Sequence, residues 1–346
     1  MVVVMSADAT SEQLDAVVET VEEAGGSAFV SRGVHRTIVG LVGDVERFET
    51  LNLSALPGVS DVVRISTPYK LVSRENHPQT STVSVSGVPI GPDTFTLIAG
   101  PCAVETPEQT LLAAQMAKDA GASLLRGGAF KPRTSPYAFQ GLGAKGLDIL
   151  SEVSAEVGLP IVTEVVDAHD VDLVAEHADM LQIGTRNMQN FGLLQAAGAS
   201  GKPVMLKRGM QATIEEWLMA AEYIAQRGCL DIVLCERGIR TFETATRNTL
   251  DISAVPVVHA LSHLPVMVDP SHAGGRRDLV VPLTRAAIAV GADAVMVDLH
   301  PTPEVARCDG PQALVDVDLL ELSAAVAQIP PLLGRRLNPP PVRVTG

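Results

Sequence analysis

Aromatic side chains are scarce in this chain: seven Phe, three Tyr and one Trp make up 3% of 346 residues. A core this large without rings must be filled by Ala, Val, Leu and Ile, and 46% of the chain is hydrophobic. That composition suits buried parallel strands wrapped in helices. Cysteine is sparse as well. Cys102, Cys229, Cys235 and Cys308 form no Cys-x-x-Cys pair. This excludes a disulfide framework and points to a reducing cytoplasm. No apolar run approaches the ~20 residues that span a bilayer. The opening Met-Val-Val-Val-Met-Ser lacks a basic region and a cleavage site, so a signal peptide is not expected. Positive charge is in deficit, with 26 Lys and Arg against 40 Asp and Glu and a formal net charge of −14. The acidic balance argues against nucleic acid and anionic membranes as partners.

Against that background, residues 124–141 stand out. Arg126, Lys131 and Arg133 fall in a loop punctuated by Gly and Pro, directly after an apolar run. A local cluster of cations on an acidic chain points to an anionic ligand held by charge-assisted hydrogen bonds. Gly127 and Gly128 permit close backbone approach, and Pro132 stiffens the segment that presents Arg133.

Two regions are expected. In residues 1–66, Val2–Met5 reads as a strand and Ser11–Glu23 as a helix with Leu14, Val17, Val18 and Val21 on one face. Ala28–Ser31 and Arg36–Val42 read as strands around a turn at Gly33. Val45–Leu56 reads as a second helix and Val59–Ile65 as a last strand. The order βαββαβ is ferredoxin-like. Residues 67–93 read as a linker, Thr67–Thr82, followed by a hairpin about Gly87.

From Thr94 onward, short apolar runs alternate with helix-length stretches. The runs are 94–100, 123–127, 160–165, 180–184, 203–208, 231–236, 265–269 and 294–299. Eight such units in roughly 235 residues fit a (β/α)8 TIM barrel over 94–329. A doubly wound sheet is the rival. The barrel is preferred because nearly every run ends in a polar or ionisable residue, and barrel strand ends converge on one face. Residues 330–346 read as a Pro-rich, extended tail.

The strand-end residues sort into two chemistries. Arg126, Lys131, Arg133, Arg186, Lys207 and Arg237 are cations that would repel one another unless they faced more than one phosphate or carboxylate. Cys102, His272, Asp298 and Asp309 make a donor set for a divalent transition metal, although no local motif signals it. Taken singly, Cys102 also suits a buried thiol, and His272 a cap of the loop Asp-Pro-Ser-His-Ala-Gly-Gly.

Several stretches resemble the 3-deoxy-D-arabino-heptulosonate 7-phosphate (DAHP) synthase family, type I beta, in the form with an N-terminal ferredoxin-like domain. They are Ala-Gly-Pro-Cys (99–102), Leu-Leu-Arg-Gly-Gly-Ala-Phe-Lys-Pro-Arg-Thr-Ser (124–135) and Gly-Thr-Arg-Asn-Met-Gln-Asn (184–190). Leu-Lys-Arg-Gly (206–209), Cys-Glu-Arg-Gly-Ile-Arg (235–240), Asp-Pro-Ser-His (269–272) and His-Pro-Thr-Pro-Glu (300–304) belong with them, as does Pro-Tyr-Lys-Leu-Val-Ser-Arg-Glu (68–75). The resemblance implies condensation of phosphoenolpyruvate with erythrose 4-phosphate and water to give DAHP and phosphate, the first step of the shikimate pathway. It implies Arg126, Lys131, Arg186, Lys207 and Arg237 on phosphoenolpyruvate, and Arg133 with Thr134 on the aldose phosphate. It implies Cys102, His272, Asp298 and Asp309 on the metal: Mn2+ first, with Co2+, Fe2+ and Zn2+ as alternatives. Lys131 would protonate the new alkoxide or orient the water, and Glu164 would accept a proton from that water.

One position departs from the family, which usually has Glu where this chain has Asp298. Aspartate reaches one methylene less, so the metal shifts, a water intervenes, or Glu304 contributes. His300 is either a group behind the metal ligands or a structural histidine. The resemblance further implies tyrosine or phenylalanine as an effector of residues 1–66, and a homotetramer. Three rival readings stand beside it. One is the sibling 3-deoxy-D-manno-octulosonate 8-phosphate synthase, which lacks the Lys-Pro-Arg-Thr-Ser loop and the N-terminal domain. Another is a catalytically silent barrel that senses aromatic amino acids. For residues 1–66 alone, the third is an oligomerisation or solubility domain.

Overall fold

The computed structural model describes residues 1–32, 37–64, 67–133 and 135–338. The chain divides into a unit from Met1 to Pro68 and a second from Tyr69 onward. In the first, β1 (Val2–Met5), α1 (Ser11–Glu23), β2 (Ser27–Arg32), β3 (Thr37–Val42), α2 (Val45–Glu49) and β4 (Val59–Val63) follow in order. The sheet runs β2-β3-β1-β4, with every pairing antiparallel. This is the expected ferredoxin-like fold. Thr10 begins α1 with a capping box, accepting from Gln13 N while the Gln13 side chain accepts from Thr10 N. Leu14, Val17 and Val21 point from α1 into a core closed by Val3, Met5, Val39, Leu41 and Phe48. The turn placed at Gly33 lies outside the described residues.

The second helix is shorter than expected. It stops at Glu49, and Asn52 adopts a left-handed conformation with φ 46°. Asn tolerates that region better than most residues. The reversal sends Leu53 back into the core at 3% exposure, which a continuous helix to Leu56 would not do.

The second unit is a closed parallel barrel. Its strands are β7 (Thr94–Gly100), β8 (Leu124–Arg126), β9 (Ile161–Val165), β10 (Met180–Ile183), β11 (Val204–Lys207), β12 (Ile232–Glu236), β13 (Val266–Val268) and β14 (Ala294–Asp298). Neighbours pair in sequence order, and β14 pairs with β7 to close the ring. The eight apolar runs are therefore the eight strands. Every residue of these strands is buried, as continuous hydrophobic runs require. Before them comes a hairpin, β5 (Val83–Val85) and β6 (Val88–Ile90). Its four apolar residues join the barrel-interior cluster with Ile98, Val162, Met205 and Met267. Pro89 O accepts from Thr94 and Thr96 at the start of β7, so the hairpin plugs the N-terminal end of the barrel. The C-terminal end is left for the strand-end residues.

Two segments differ from expectation. Thr67–Thr82 is not a free linker from Tyr69 onward. Tyr69 and Val72 are buried in the main barrel core, and Glu222 accepts from both Leu71 N and Val72 N. The barrel also does not end at residue 329. The helix Asp316–Leu332 continues through Pro330 and Pro331, and Arg336–Leu337 then pairs with β7 at Thr94 and Phe95. The two prolines occupy the last turn, and the helix ends one residue beyond them. Residues 339–346 lie outside the described part. Among the described residues, no helix is long and apolar enough to cross a membrane.

Candidate active site

The C-terminal ends of the strands surround a cavity of about 410 Å³. Its wall holds eight Lys or Arg side chains: Arg126, Lys131, Arg133, Arg186, Lys207, Arg237, Arg240 and Arg247. Only two carboxylates, Glu164 and Asp309, share that wall. All six cations expected from the sequence are present. Arg240 and Arg247 are additions. Arg240 closes the Cys-Glu-Arg-Gly-Ile-Arg stretch and was legible there. Arg247 sits in an irregular loop and carried no signal. Ile239 and Thr249 exchange backbone hydrogen bonds at 2.8 and 2.9 Å, which folds that loop back onto the cavity. Arg208 belongs elsewhere: it is held by Glu236 at 2.9 Å and Asp251 at 2.8 Å.

The loop after β8 presents Lys131 inward. Its Nζ donates to Cys102 O at 2.8 Å and contacts Cys102 Sγ at 3.2 Å. A Cβ on Gly128 would meet Cys102 O at 2.7 Å and Lys131 Nζ at 3.0 Å, so this contact requires glycine. Burial works against the Lys131 ammonium, but the facing Cys102 and Cys308 sulfurs outweigh it and hold the pKa above its ordinary value. Glu164 has a similar cradle. A Cβ on Gly184 would lie 1.9 Å from Glu164 Oε1. Arg133 donates to Cys308 Sγ at 2.8 Å. Burial lowers the Arg237 pKa, which increases its demand for an anionic partner. Thr134 lies outside the described residues.

Behind the cations is the second chemistry. Asp269 follows β13 and caps the short helix Pro270–Gly274, accepting from His272 N at 2.9 Å. The same carboxylate accepts from Lys207 at 2.5 Å and lies 2.8 Å from His272 Nδ1. That leaves His272 Nε2 facing Cys102 Sγ at 3.9 Å and Asp309 Oδ2 at 3.7 Å. Cys102 Sγ is 3.1 Å from Asp309 Oδ2. Asp298 ends β14 beneath them, 3.6 Å from His272 Nδ1. Its Oδ1 lies 2.8 Å from Arg126, and its Oδ2 accepts from Gln312 at 2.6 Å. Arg247 ties Asp309 and Gln312 together, at 2.8 and 3.0 Å.

Burial would lower the His272 pKa, but Asp269 and Asp298 outweigh it and push it up to about 9. Burial likewise opposes the Asp309 carboxylate, while His272 and Arg247 hold it well below the usual range. The Cys102 thiol is pushed up by its hydrogen bond with Cys308 and by burial. Two buried atoms, His272 Nδ1 and Asp298 Oδ1, have near neighbours but no aligned hydrogen bond. Donor atoms of Cys102, His272 and Asp298 lie within 4.8 Å of one another, as do those of Cys102, Cys308 and Asp309. A thiol, an imidazole and carboxylates gathered this closely fit a divalent transition ion.

Sequence reasoning missed the supporting groups Arg247 and Gln312, because nothing local marks them, and assigned no role to Asp269, although it closes the run 265–269 and opens Asp-Pro-Ser-His. His300 faces Glu105 at 3.7 Å, and Glu304 is exposed on a neighbouring cavity that Arg133, Cys308 and Asp309 also line. Neither is in the donor cluster. Cys235 lies in the barrel core, and Cys229 Sγ contacts Lys202 O.

The DAHP synthase ferredoxin-like domain matches residues 1–67, and the DAHP synthetase I family matches residues 72–332. A phospho-2-dehydro-3-deoxyheptonate aldolase of Thermotoga maritima is 51% identical over 339 residues, spanning 98% of this chain and all of that protein. The crystal structure of the Thermotoga maritima DAHP synthase superposes with a TM-score of 0.90 at 50% identity, covering 97% of this chain and 99% of that one. A 2-dehydro-3-deoxyphosphooctonate aldolase of Magnetococcus marinus is 37% identical over 239 residues, which is 64% of this chain and 82% of that protein. With its barrel and its N-terminal domain both matched, the chain belongs to the DAHP synthetase I family.

Proposed function

We infer that this protein is a DAHP synthase, joining phosphoenolpyruvate to erythrose 4-phosphate with water and releasing phosphate. The observation that carries this reading is the cavity wall, with eight cations against two carboxylates, beside the Cys102–His272–Asp309 cluster. Phosphoenolpyruvate carries a phosphate and a carboxylate, and the aldose carries a second phosphate. Arg126, Arg186, Lys207 and Arg237 hold the first substrate. Arg133 and Thr134, which follow Pro132 in sequence, hold the aldose phosphate. That spacing selects a four-carbon aldose phosphate.

In the reaction, C3 of phosphoenolpyruvate attacks the aldehyde carbon and the aldehyde oxygen becomes an alkoxide. Water adds at C2, and the tetrahedral carbon then expels phosphate. A divalent ion bound by Cys102, His272, Asp309 and Asp298 would supply Lewis-acid polarisation of the aldehyde. Lys131 holds a proton at Nζ against burial and delivers it to the alkoxide. Glu164, fixed against Gly184, takes the proton from water. Residues 1–66 bind an aromatic amino acid and inhibit the barrel. The assembly is a homotetramer, and the four free cysteines of each chain suit the cytoplasm.

Phosphate release tests this in one assay. Release with erythrose 4-phosphate, absent with arabinose 5-phosphate and lost with chelator, is expected. Preference for the five-carbon sugar would give the octulosonate reading instead. The match of residues 1–67 to the DAHP synthase ferredoxin-like domain favours the first outcome.

A further inference from the structure

We propose that Cys308 supplies a second thiolate to the metal centre of this chain. The inference rests on the metal reading above and concerns a donor that reading does not use. Cys308 is 5% exposed, and its Sγ lies 3.5 Å from Cys102 Sγ and 3.2 Å from Asp309 Oδ2. Together with the 3.1 Å, 3.9 Å and 3.7 Å separations among Cys102, His272 Nε2 and Asp309, five contacts link four donor atoms. Four-coordinate metal–ligand bonds of about 2.0–2.3 Å place donors roughly 3.3–3.8 Å apart. Five of the six donor pairs lie close to that range, while Cys308 and His272 fall in different groups of donors within 4.8 Å.

Asp298 is differently committed. One oxygen faces Arg126 at 2.8 Å and the other accepts from Gln312 at 2.6 Å. To turn fully to an ion it must give up one of them. Cys308 needs no such exchange. Its packing neighbours, Ala103 and Phe139, would accept any small apolar side chain. A sulfur there receives Arg133 at 2.8 Å and joins the donors instead. Two thiolates favour thiophilic ions, zinc, cobalt and ferrous iron, over manganese. Loading displaces both thiol protons to solvent.

The test uses the full chain, stripped by chelation, kept anaerobic and reduced, then titrated with Co2+. Thiolate-to-cobalt charge-transfer absorption is read per cobalt bound. In Cys308→Ser it is expected to fall about two-fold with one cobalt still bound, and likewise in Cys102→Ser. If Cys308→Ser keeps the full band while Cys102→Ser loses it all, the metal reading stands and the second thiolate is overturned. If the unaltered protein binds no cobalt, both fail. X-ray absorption on the unaltered cobalt form needs no variant. Two sulfur neighbours per metal support the proposal, and one overturns it.

Discussion

Lys131 and Glu164 are the residues whose roles are most exposed to test. Lys131→Ala removes the ammonium that contacts Cys102 O and Sγ. A proton donor's loss costs about 10²–10⁴ in turnover. We expect that drop in kcat with metal affinity nearly unchanged by calorimetry; equal losses in both would reject the proton-donor role. Gly184→Ala places a Cβ against Glu164 Oε1, so the carboxylate must rotate away. Turnover should fall sharply while the KM for phosphoenolpyruvate holds. A KM change alone would place Glu164 in binding rather than in proton transfer. The six cations were legible as residues because each closes or follows an apolar run. Arg247 and Gln312 were not, since their importance lies wholly in what they touch, and Asp269, which closes the run 265–269, shows its role only through Lys207 and His272.

Among elements, the hairpin Val83–Ile90 and the segment from Tyr69 carry the clearest predictions. Ile90 is fully buried among barrel-interior residues at the end away from the site. Ile90→Ala should therefore cost about 2–5 kcal/mol in urea unfolding and leave both KM values alone. The second prediction concerns where to cut. A protein starting at Ser73 loses Tyr69 and Val72 from the barrel core, and with them the two backbone donors to Glu222. Burying a large apolar side chain stabilises by about 1.5–3 kcal/mol. A chain starting at Tyr69 should melt well above one starting at Ser73. Equal melting temperatures would mean the segment contributes nothing. Strand limits fell within about one residue of the apolar runs because buried parallel strands are unbroken apolar runs. The second small-domain helix was misjudged, because the left-handed turn at Asn52 leaves no trace in hydrophobic periodicity.

The whole molecule joins a matched catalytic barrel to a matched ferredoxin-like unit. If the small unit is regulatory, tyrosine or phenylalanine inhibits the full chain, and the protein starting at Tyr69 stays active and insensitive. Full-length activity indifferent to every aromatic amino acid would leave the unit an oligomerisation domain. Sedimentation of the two forms then separates those roles, since only the latter predicts a loss of assembly.

By itself the sequence determined the architecture: period-two and apolar-run patterns name the strands, and a parallel sheet of eight units has few ways to bury them. It also determined the sign of the ligand, because a cluster of cations on an acidic chain must face anions. Tertiary structure decided the rest. Cys102, His272 and Asp309 are far apart in sequence, and only barrel closure brings them within 3.9 Å of one another. Cys308 could not be told from a core thiol until its sulfur was found beside that of Cys102. Donor chemistry depends on distances of a few ångströms between distant strands, and those distances are properties of packing.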